Sequence, residues 1–282
     1  MLLAQRRHLR AVLLLAALLA ALPATAGAQG KLDARYSASI AGIPIGKGSW
    51  VIDINDTHYT AAASGATTGL VRVFTGGEGN SAAEGTLQAG RPVSSVFAST
   101  IASSHRTDAV RLTVANGVVT EATVDPPLEN EPERVPITDE HRKGVLDPMT
   151  ASLMRTPGNG DPLAPEACQR TLAIFDGRLR YDLQFAFKRM DHAKAEGYDG
   201  PVVVCAVYFS PIAGFIPSRA AIRYLAKLHD IEVWLAPIAG TRVLVPFRAQ
   251  GPTLIGRIVL QATQFVSAAL PTRASANGLK TR

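Results

Sequence analysis

The sequence predicts an all-β protein: a curved antiparallel sheet, of half-barrel or β-spiral form, with two or three short helices. Short runs that alternate apolar and polar residues recur along the chain, bounded by glycine, proline or asparagine, which is typical of half-buried strands. Consecutive hairpins favour an antiparallel meander. About a dozen strands are expected, and a sheet of that size must curl or close on itself.

An export signal is predicted over residues 1–28. Three arginines in the first ten residues precede an apolar run over residues 11–22, and Pro23 ends that run. Crossing a bilayer core takes about 20 residues, so this shorter run indicates a cleavable signal peptide. We expect cleavage after Ala28, with cleavage after Ala26 as the alternative. The other interpretation is an uncleaved membrane anchor.

The rest of the chain is expected to form a single β-rich periplasmic domain over residues 29–266, followed by a disordered basic tail over residues 267–282. No later segment offers 18 consecutive apolar residues, so no transmembrane anchor is expected after processing. The alternative is two domains that meet in the proline-rich, acidic stretch at residues 125–136.

Charge argues against nucleic acid as a partner. The chain has 29 basic residues; without the three arginines of the signal, 26 remain against 23 acidic residues, a formal charge of +3. No dense basic patch is interleaved with aromatic residues, as nucleic-acid binding would require.

Alternation in the first half of the chain predicts six strands, with a turn over residues 42–46 and a two-residue hairpin at Asn116-Gly117. The predicted strands cover residues 32–40, 48–54, 59–64, 91–102, 109–115 and 118–124.

The second half combines short helices with longer strands. Thr138 is expected to cap one short helix, Asp147-Pro148 to begin a second that ends by Met154, and Ser218 to cap a third over residues 219–228. The predicted strands cover residues 169–175, 179–190, 202–209, 231–235, 241–247 and 254–266. An Asp176-Gly177 turn joins the first two of these.

The two cysteines, Cys168 and Cys205, are expected to form a structural disulfide in an oxidising compartment. The bridge would join two strands of one sheet region. A redox-active pair is the weaker interpretation, because the spacing is not Cys-x-x-Cys and neither flank suggests an acidified thiol.

Two segments of the second half resemble a bacterial family known only as domain of unknown function 3108. The first is FDGRLRYD at residues 175–182, and the second is CAVY at 205–208 followed by PIAGF at 211–215. Asp147-Pro148 and the strand–turn–strand around residues 42–50 fit the same family. The resemblance covers roughly residues 31–266 and implies a periplasmic envelope protein with a curved β architecture. It implies no activity and no catalytic residue.

Arg178, Arg180 and Asp182 are candidate ligand-binding residues. At a period of two they would share one face of a strand, and guanidinium groups pair well with carboxylate or phosphate. The alternative is a solvated outer face with ion pairs between strands.

Two apolar segments are further candidates for binding a ligand. One contains Leu70 and Phe74, and the other contains Ile212 and Phe215. If the sheet curves around a cavity, both segments would line or cover it, since small-molecule pockets are mostly apolar. The alternative is that both segments plug the core.

No catalytic or metal site is predicted. The five histidines after the signal form no His-x-His, His-x-x-x-His or His-Glu-x-x-His pair. No Gly-x-Ser-x-Gly nucleophile elbow occurs. The glycine-rich residues 76–79 lack the Lys-Ser/Thr of a phosphate-binding loop. No cofactor is expected.

These observations favour a non-enzymatic periplasmic protein of the cell envelope that binds a lipid-like or amphipathic molecule in its concave face. One alternative is a structural or interaction protein that binds an envelope protein through a sheet edge or residues 125–136. The other is an envelope hydrolase, which would need titratable groups such as His141, Asp147 or Asp182 to converge in one cleft.

Overall fold

The computed structural model describes residues 29–69 and 76–270. In these ranges fourteen strands form one antiparallel sheet. The strands are β1 (Gly30–Ile40), β2 (Ile43–Ile54), β3 (His58–Thr67), β4 (Glu78–Gln88), β5 (Arg91–Ala102), β6 (Thr107–Ala115), β7 (Val118–Asp125), β8 (Met154–Arg155), β9 (Arg170–Phe175), β10 (Arg180–Ala195), β11 (Tyr198–Ala213), β12 (Ile231–Pro237), β13 (Val243–Thr253) and β14 (Gly256–Ala269). The short helices are α1 (Pro148–Ala151), α2 (Ala220–Leu225) and two 3₁₀ helices, Asp139–Arg142 and Pro165–Cys168.

The sheet is a single curved surface that runs through both halves of the chain. Its strand order is β7-β6-β5-β4-β3-β2-β1-β14-β13-β12-β11-β10-β9, with β8 beside β13. The first and last strands join the halves, pairing from Gly30–Ala269 to Ile40–Ile258. The sheet does not close on itself, so β7 and β9 are its edges. The predicted all-β, curved antiparallel architecture is confirmed.

A short segment, Lys143–Leu146, crosses between these two edges. The Gly144 amide donates to the Gly117 carbonyl at 2.7 Å, beside the start of β7. The Leu146 amide donates to the Ala173 carbonyl at 2.9 Å, and the Leu146 carbonyl accepts from the Phe175 amide at 3.0 Å on β9. This segment therefore satisfies backbone groups of both edge strands.

The main core lies on the concave side of the sheet. Alternation along β1 and β2 buries every second residue, as with Leu32 and Ile52. The same cluster includes Leu112 and Phe265, both fully buried. Each such side chain contributes roughly 1.5–3 kcal/mol relative to leaving it in water, so this packing holds the curved sheet together.

Helix α1 enters this core because its first turn is fully capped. The Asp147 carboxylate accepts from the amides of Met149 and Thr150, both at 2.9 Å, and from the hydroxyls of Ser94 and Thr150. Pro148 at the first helical position needs no partner for a missing N–H. The Thr150 hydroxyl also lies 2.5 Å from the Tyr59 hydroxyl. This buried polar network therefore ties α1 to β3 and β5.

A second core lies on the opposite face of β10 to β13. Residues 202–207 of β11 are almost completely buried on both faces. Cys168 and Cys205 lie in this second core and form the predicted disulfide. The expectation that the bridge joins two strands is wrong, because Cys168 ends a 3₁₀ helix and only Cys205 lies in a strand.

An ionic cluster covers part of β12. Glu232 is buried, and its carboxylate accepts from Lys188 and, at 3.2 Å, from Arg189. Burial opposes ionisation of Glu232, but the hydrogen bonds from these two cations outweigh it and lower its pKa. The Arg189 and Arg248 guanidinium groups lie 5.3 and 4.8 Å from the Trp234 ring centre.

Two strands are absent from the sequence prediction, the two-residue strand β8 and the longer strand β4. Strand β4 reads EGNSAAEGTLQ, with small and acidic residues where alternation normally shows large apolar ones. Pairing with β3 along Ala66–His58 and with β5 along Ala102–Arg91 holds it in place. Strand β4 therefore forms because its backbone pairs with both neighbouring strands, although its side-chain pattern does not favour a strand.

Several boundaries also differ from the sequence prediction. The first hairpin turns at Ala41-Gly42, both with positive φ, so residues 43–46 are strand and not turn. Strand β13 continues to Thr253, where the prediction ended at residue 247, and β14 continues to Ala269. The turns expected at Asn116-Gly117 and Asp176-Gly177 are present.

The third helix is shorter than expected. Helix α2 covers Ala220–Leu225 and Arg219 is its N-cap residue, without a side-chain cap. Ser218, the expected cap, instead donates its hydroxyl to Glu133. No helix within residues 29–69 and 76–270 is long and apolar enough to cross a bilayer.

Candidate functional site

Three glycines stand side by side on the concave face of the sheet. Gly48 on β2 pairs with Gly65 on β3, and Gly65 pairs with Gly79 on β4. Residues paired in an antiparallel ladder point to the same face. We call Gly48, Gly65 and Gly79 the glycine row. Because none carries a side chain, this part of the concave face is left unfilled.

The neighbouring strands place larger groups at the ends of the glycine row. On one side Tyr36 pairs with Gly48. On the other, Ile101 pairs with Gly79 and Asp108 pairs with Ile101. All six residues line one cavity.

The next row toward the core is also made mainly of small side chains. Ala63, Ser81 and Ser99 lie side by side there, between Trp50 and Val110. All five line the same cavity. One row further in, Ile52, Phe97 and Leu112 are buried and fill the sheet interior. Side-chain size therefore decides where the cavity ends and the solid core begins.

The cavity has a volume of about 1240 Å³. Typical small-molecule pockets are about 300–1,000 Å³. Opposite the sheet its wall is formed by Pro127 and Leu128 from the loop after β7, by Met149 of α1, and by the turn residues Asp176 and Arg178. The concave face therefore offers an open cavity with room for a ligand larger than a typical small molecule.

The loop at residues 125–136, which we call the strap, crosses the open side of the sheet. Arg178 fixes its first part, donating to the Asp125 and Pro126 carbonyls, both at 3.0 Å. Arg178 also lies 3.2 Å from the Asp108 carboxylate on β6. One guanidinium group therefore joins the strap, the β9–β10 turn and the sheet.

The second part of the strap is bound to the end of β11. Val135 and Phe215 are joined by a backbone hydrogen bond of 2.9 Å, and the Gly214 amide donates to the Val135 carbonyl at 2.8 Å. The Arg134 guanidinium donates to the Gly214 carbonyl at 2.8 Å. The strap is thus held at both ends, with Pro127 to Glu129 facing the cavity between them.

Two polar atoms of the cavity wall lack hydrogen-bond partners within the described ranges: the Trp50 Nε1 and the Arg134 Nε. Leaving a buried donor unpaired costs about 1–3 kcal/mol. A hydrogen-bond acceptor on a ligand, reached by a small movement of either side chain, would remove this cost.

Burial raises the pKa of two further groups that line the cavity. Desolvation raises the pKa of Tyr36, whose hydroxyl donates to the Pro246 carbonyl at 2.7 Å. Desolvation also raises the pKa of Asp176, although its carboxylate accepts from the amides of Arg178 and Leu179. The carboxylate of Asp176 therefore stabilises the β9–β10 turn by accepting these two hydrogen bonds.

The structure separates the three predicted polar ligand residues. Arg178 lies in the turn before β10 and lines the cavity. Arg180 and Asp182 lie within β10, are paired at 2.6 Å, and lie outside the cavity lining. The expectation that all three share one strand face is wrong, because β10 begins only at Arg180.

Two of the four predicted apolar ligand residues, Ile212 and Phe215, lie away from the cavity. Ile212 is partly exposed near the end of β11, and Phe215 is buried edge-to-face against Phe209 with ring centres 5.6 Å apart. Neither lines the cavity. Leu70 and Phe74 lie outside the described residues.

The three residues considered for a hydrolase site each stabilise a different local structure. Asp147 is the buried cap of α1, while the His141 Nδ1 lies 3.1 Å from the Thr138 amide and Asp182 pairs with Arg180. In the part of the chain that the structure describes, no three His, Cys, Asp or Glu side chains are grouped as metal ligands would be.

The sequence pattern did not predict the glycine row or Trp50 as residues of a ligand cavity. Residues 46–48 and 77–79 both read Gly-x-Gly, so glycine recurs at the strand period of two on one face. In predicted strands that spacing signals an unfilled face. The Gly-x-Gly spacing at residues 77–79 indicates an unfilled face only if residues 78–88 form a strand, and that strand was not predicted.

The sequence matches the family described as protein of unknown function, DUF3108, over residues 35–263. The chain belongs to this family. The matched range runs from β1 into β14, so it includes the strands of the glycine row, the strap and the disulfide. No curated protein matches the chain.

Two solved structures show similarity at low identity. One is a β-barrel-like protein of domain of unknown function DUF1849 from Brucella abortus; it is 8% identical, with a TM-score of 0.47, and the match covers 86% of this chain and 99% of that one. The other is a DUF1329 family protein from Desulfovibrio piger, 8% identical, with a TM-score of 0.19 and 86% of each chain covered.

Proposed function

We propose that this member of the DUF3108 family is an exported, non-enzymatic binding protein that holds an amphipathic molecule in its concave face. The observation that carries the proposal is the cavity of about 1240 Å³ above the glycine row. Ligand sites are concave, mostly apolar and have a few polar groups, and this open cavity has that form.

The chemistry of the wall supports an amphipathic occupant. The inner part of the cavity is bounded by Trp50, Phe97 and Met149 with small residues between them, which suits an apolar chain. Arg106 and Arg219 lie at its mouth, are about half exposed, and pair there with Asp108 at 2.7 Å and Glu131 at 3.4 Å. Guanidinium groups pair well with carboxylate or phosphate, so the polar head of the ligand would remain at the mouth.

Export and an envelope role belong to the same proposal. The arginines, apolar run and small residues of positions 1–28 have the pattern of a signal peptide. The Cys168–Cys205 disulfide suits an oxidising compartment. The interaction-protein alternative predicts a filled barrel without a cavity, whereas the described residues leave the concave face open. The hydrolase alternative names His141, Asp147 and Asp182, and each of these serves a separate local structure.

Native mass spectrometry of protein purified from its own envelope, followed by organic extraction, tests the proposal. We expect a co-purifying lipid or glycolipid of stoichiometric mass. Purified apo protein should also bind a fluorescent long-chain fatty acid and leave a short-chain acid of the same head group unbound. A clean apo mass together with no uptake of the long-chain probe would refute the proposal.

A further inference from the structure

The most exposed large apolar residues lie at two neighbouring turns. Leu254 and Ile255, between β13 and β14, are 84% and 75% exposed, and Ile43, after the β1–β2 turn, is 64% exposed. Ile258 on β14 is partly exposed beside them. We call Ile43, Leu254, Ile255 and Ile258 the docking rim. Adjacent exposed aliphatic side chains of this kind mark an interaction site.

The strand pairing makes the docking rim continuous. Ile258 pairs with Ile40, and Ile40 pairs with Ile43 across the first turn. The Ala41 amide donates to the Arg257 carbonyl at 3.0 Å. The two turns are therefore fixed side by side and present one apolar edge.

This edge adjoins the mouth of the cavity. Ile45 on β2 and Leu260 on β14 line the cavity, and each lies two residues from a member of the docking rim. Leu260 also pairs with Ala38, which lines the cavity too. An apolar path therefore runs from the exposed tips into the concave face.

The strands that carry the docking rim have basic residues near it, Lys47 and Arg257, although the Arg257 guanidinium lies 3.9 Å from the Asp230 carboxylate. Residues 34–52 contain Arg35 and Lys47 and no acidic residue. Residues 243–269, which form β13 and β14, contain Arg248 and Arg257 and no acidic residue. Such a surface complements anionic lipid headgroups, each nearby Lys or Arg adding about 1 kcal/mol of attraction.

We infer that the docking rim binds the surface of an anionic lipid bilayer, with Leu254 and Ile255 inserted among the acyl chains. This inference rests on the proposed function, because docking would bring the cavity mouth to the lipid that the cavity takes up. An apolar ligand would then enter without crossing bulk water.

Flotation with vesicles of equimolar phosphatidylcholine and phosphatidylglycerol tests the inference. The Leu254→Ser, Ile255→Ser double variant should bind these vesicles at least about tenfold more weakly than the native protein, because two apolar side chains no longer insert. The matched control is Val118→Ser, since Val118 is 36% exposed at a turn on the opposite end of the sheet. It should bind as the native protein does.

A soluble fluorescent fatty acid separates docking from cavity binding. The double variant should bind this probe with native affinity, showing that the fold and cavity are intact. Equal vesicle binding by native protein and double variant, or no vesicle binding by the native protein, would overturn the docking inference and leave the cavity proposal standing. If the native protein does not bind the soluble fatty acid, the proposed function is overturned instead.

Discussion

Filling the glycine row at its centre should abolish most ligand binding. A Cβ atom built on Gly65 would meet only the Lys47 carbonyl oxygen within 4 Å, at 3.6 Å, an ordinary contact. A Gly65→Leu side chain therefore fits the backbone and extends into the cavity. Gly48 is a poorer position, because a Cβ atom there would lie 2.7 Å from the Ser64 carbonyl oxygen.

The size of the effect follows from the volume that leucine takes. Gly65→Leu adds four carbon atoms and excludes about as many methylene groups of a ligand chain. Each buried methylene is worth about 0.8 kcal/mol, so the loss is about 3 kcal/mol. At about 1.4 kcal/mol for each factor of ten, affinity should fall roughly 200-fold.

The assay is a titration of native and variant protein with the fluorescent long-chain fatty acid. The matched control is Ala62→Leu, which adds nearly the same bulk three residues before Gly65 on β3, exposed on the other face and outside the cavity lining. Ala62→Leu should bind the probe as the native protein does. Thermal unfolding of both variants checks that each is folded.

Native affinity in folded Gly65→Leu would refute the assignment of the ligand to the concave face. Equal weakening in Gly65→Leu and Ala62→Leu would also refute it, because the effect would then come from strand β3 and not from lost cavity volume.

Four further outcomes follow from the described contacts. Replacing Cys168 and Cys205 by alanine should cost about 4 kcal/mol in urea unfolding, since the bridge closes a loop of 37 residues; unchanged stability would contradict this. Asp147→Ala should destabilise by more than about 3 kcal/mol, because it removes a helix cap and leaves buried donors unpaired; a loss below 1 kcal/mol would count against the network. Arg178→Ala should speed amide hydrogen exchange in residues 126–134, with little change in β1 to β3, because it releases the strap. Native Glu232 has a lowered pKa, so the unfolded chain binds its proton first and stability is lost as pH falls below about 4.5; Glu232→Gln should flatten that part of the stability curve, which urea titrations at several pH values will measure.

Local pattern was sufficient for much of the fold. Strands with large apolar residues at every second position, such as β1 and β2, were predictable because one face is buried and the other is not. Asn116-Gly117 was predictable because its residues tolerate the positive φ of a two-residue turn. The disulfide was predictable because only two cysteines are present.

The cavity was not predictable from local pattern. Gly48, Gly65 and Gly79 are distant in sequence, and only the pairing of β2, β3 and β4 brings them into one row. Strand β4 was itself missed, so that register was unknown. Arg178 was predicted as a ligand residue, but its partners Asp125 and Pro126 lie more than 50 residues away and could not be inferred from spacing.

The pairing of β1 with β14 has a consequence for how the chain acquires its structure. Gly30 pairs with Ala269 and Ile40 with Ile258, so this ladder joins residues more than 200 positions apart. Contacts at such separations slow folding, because a long loop must close before they form. The ladder cannot form until residues 258–269 have left the ribosome. If the chain is exported as proposed, this delay would keep it unfolded while it is threaded through a secretion channel.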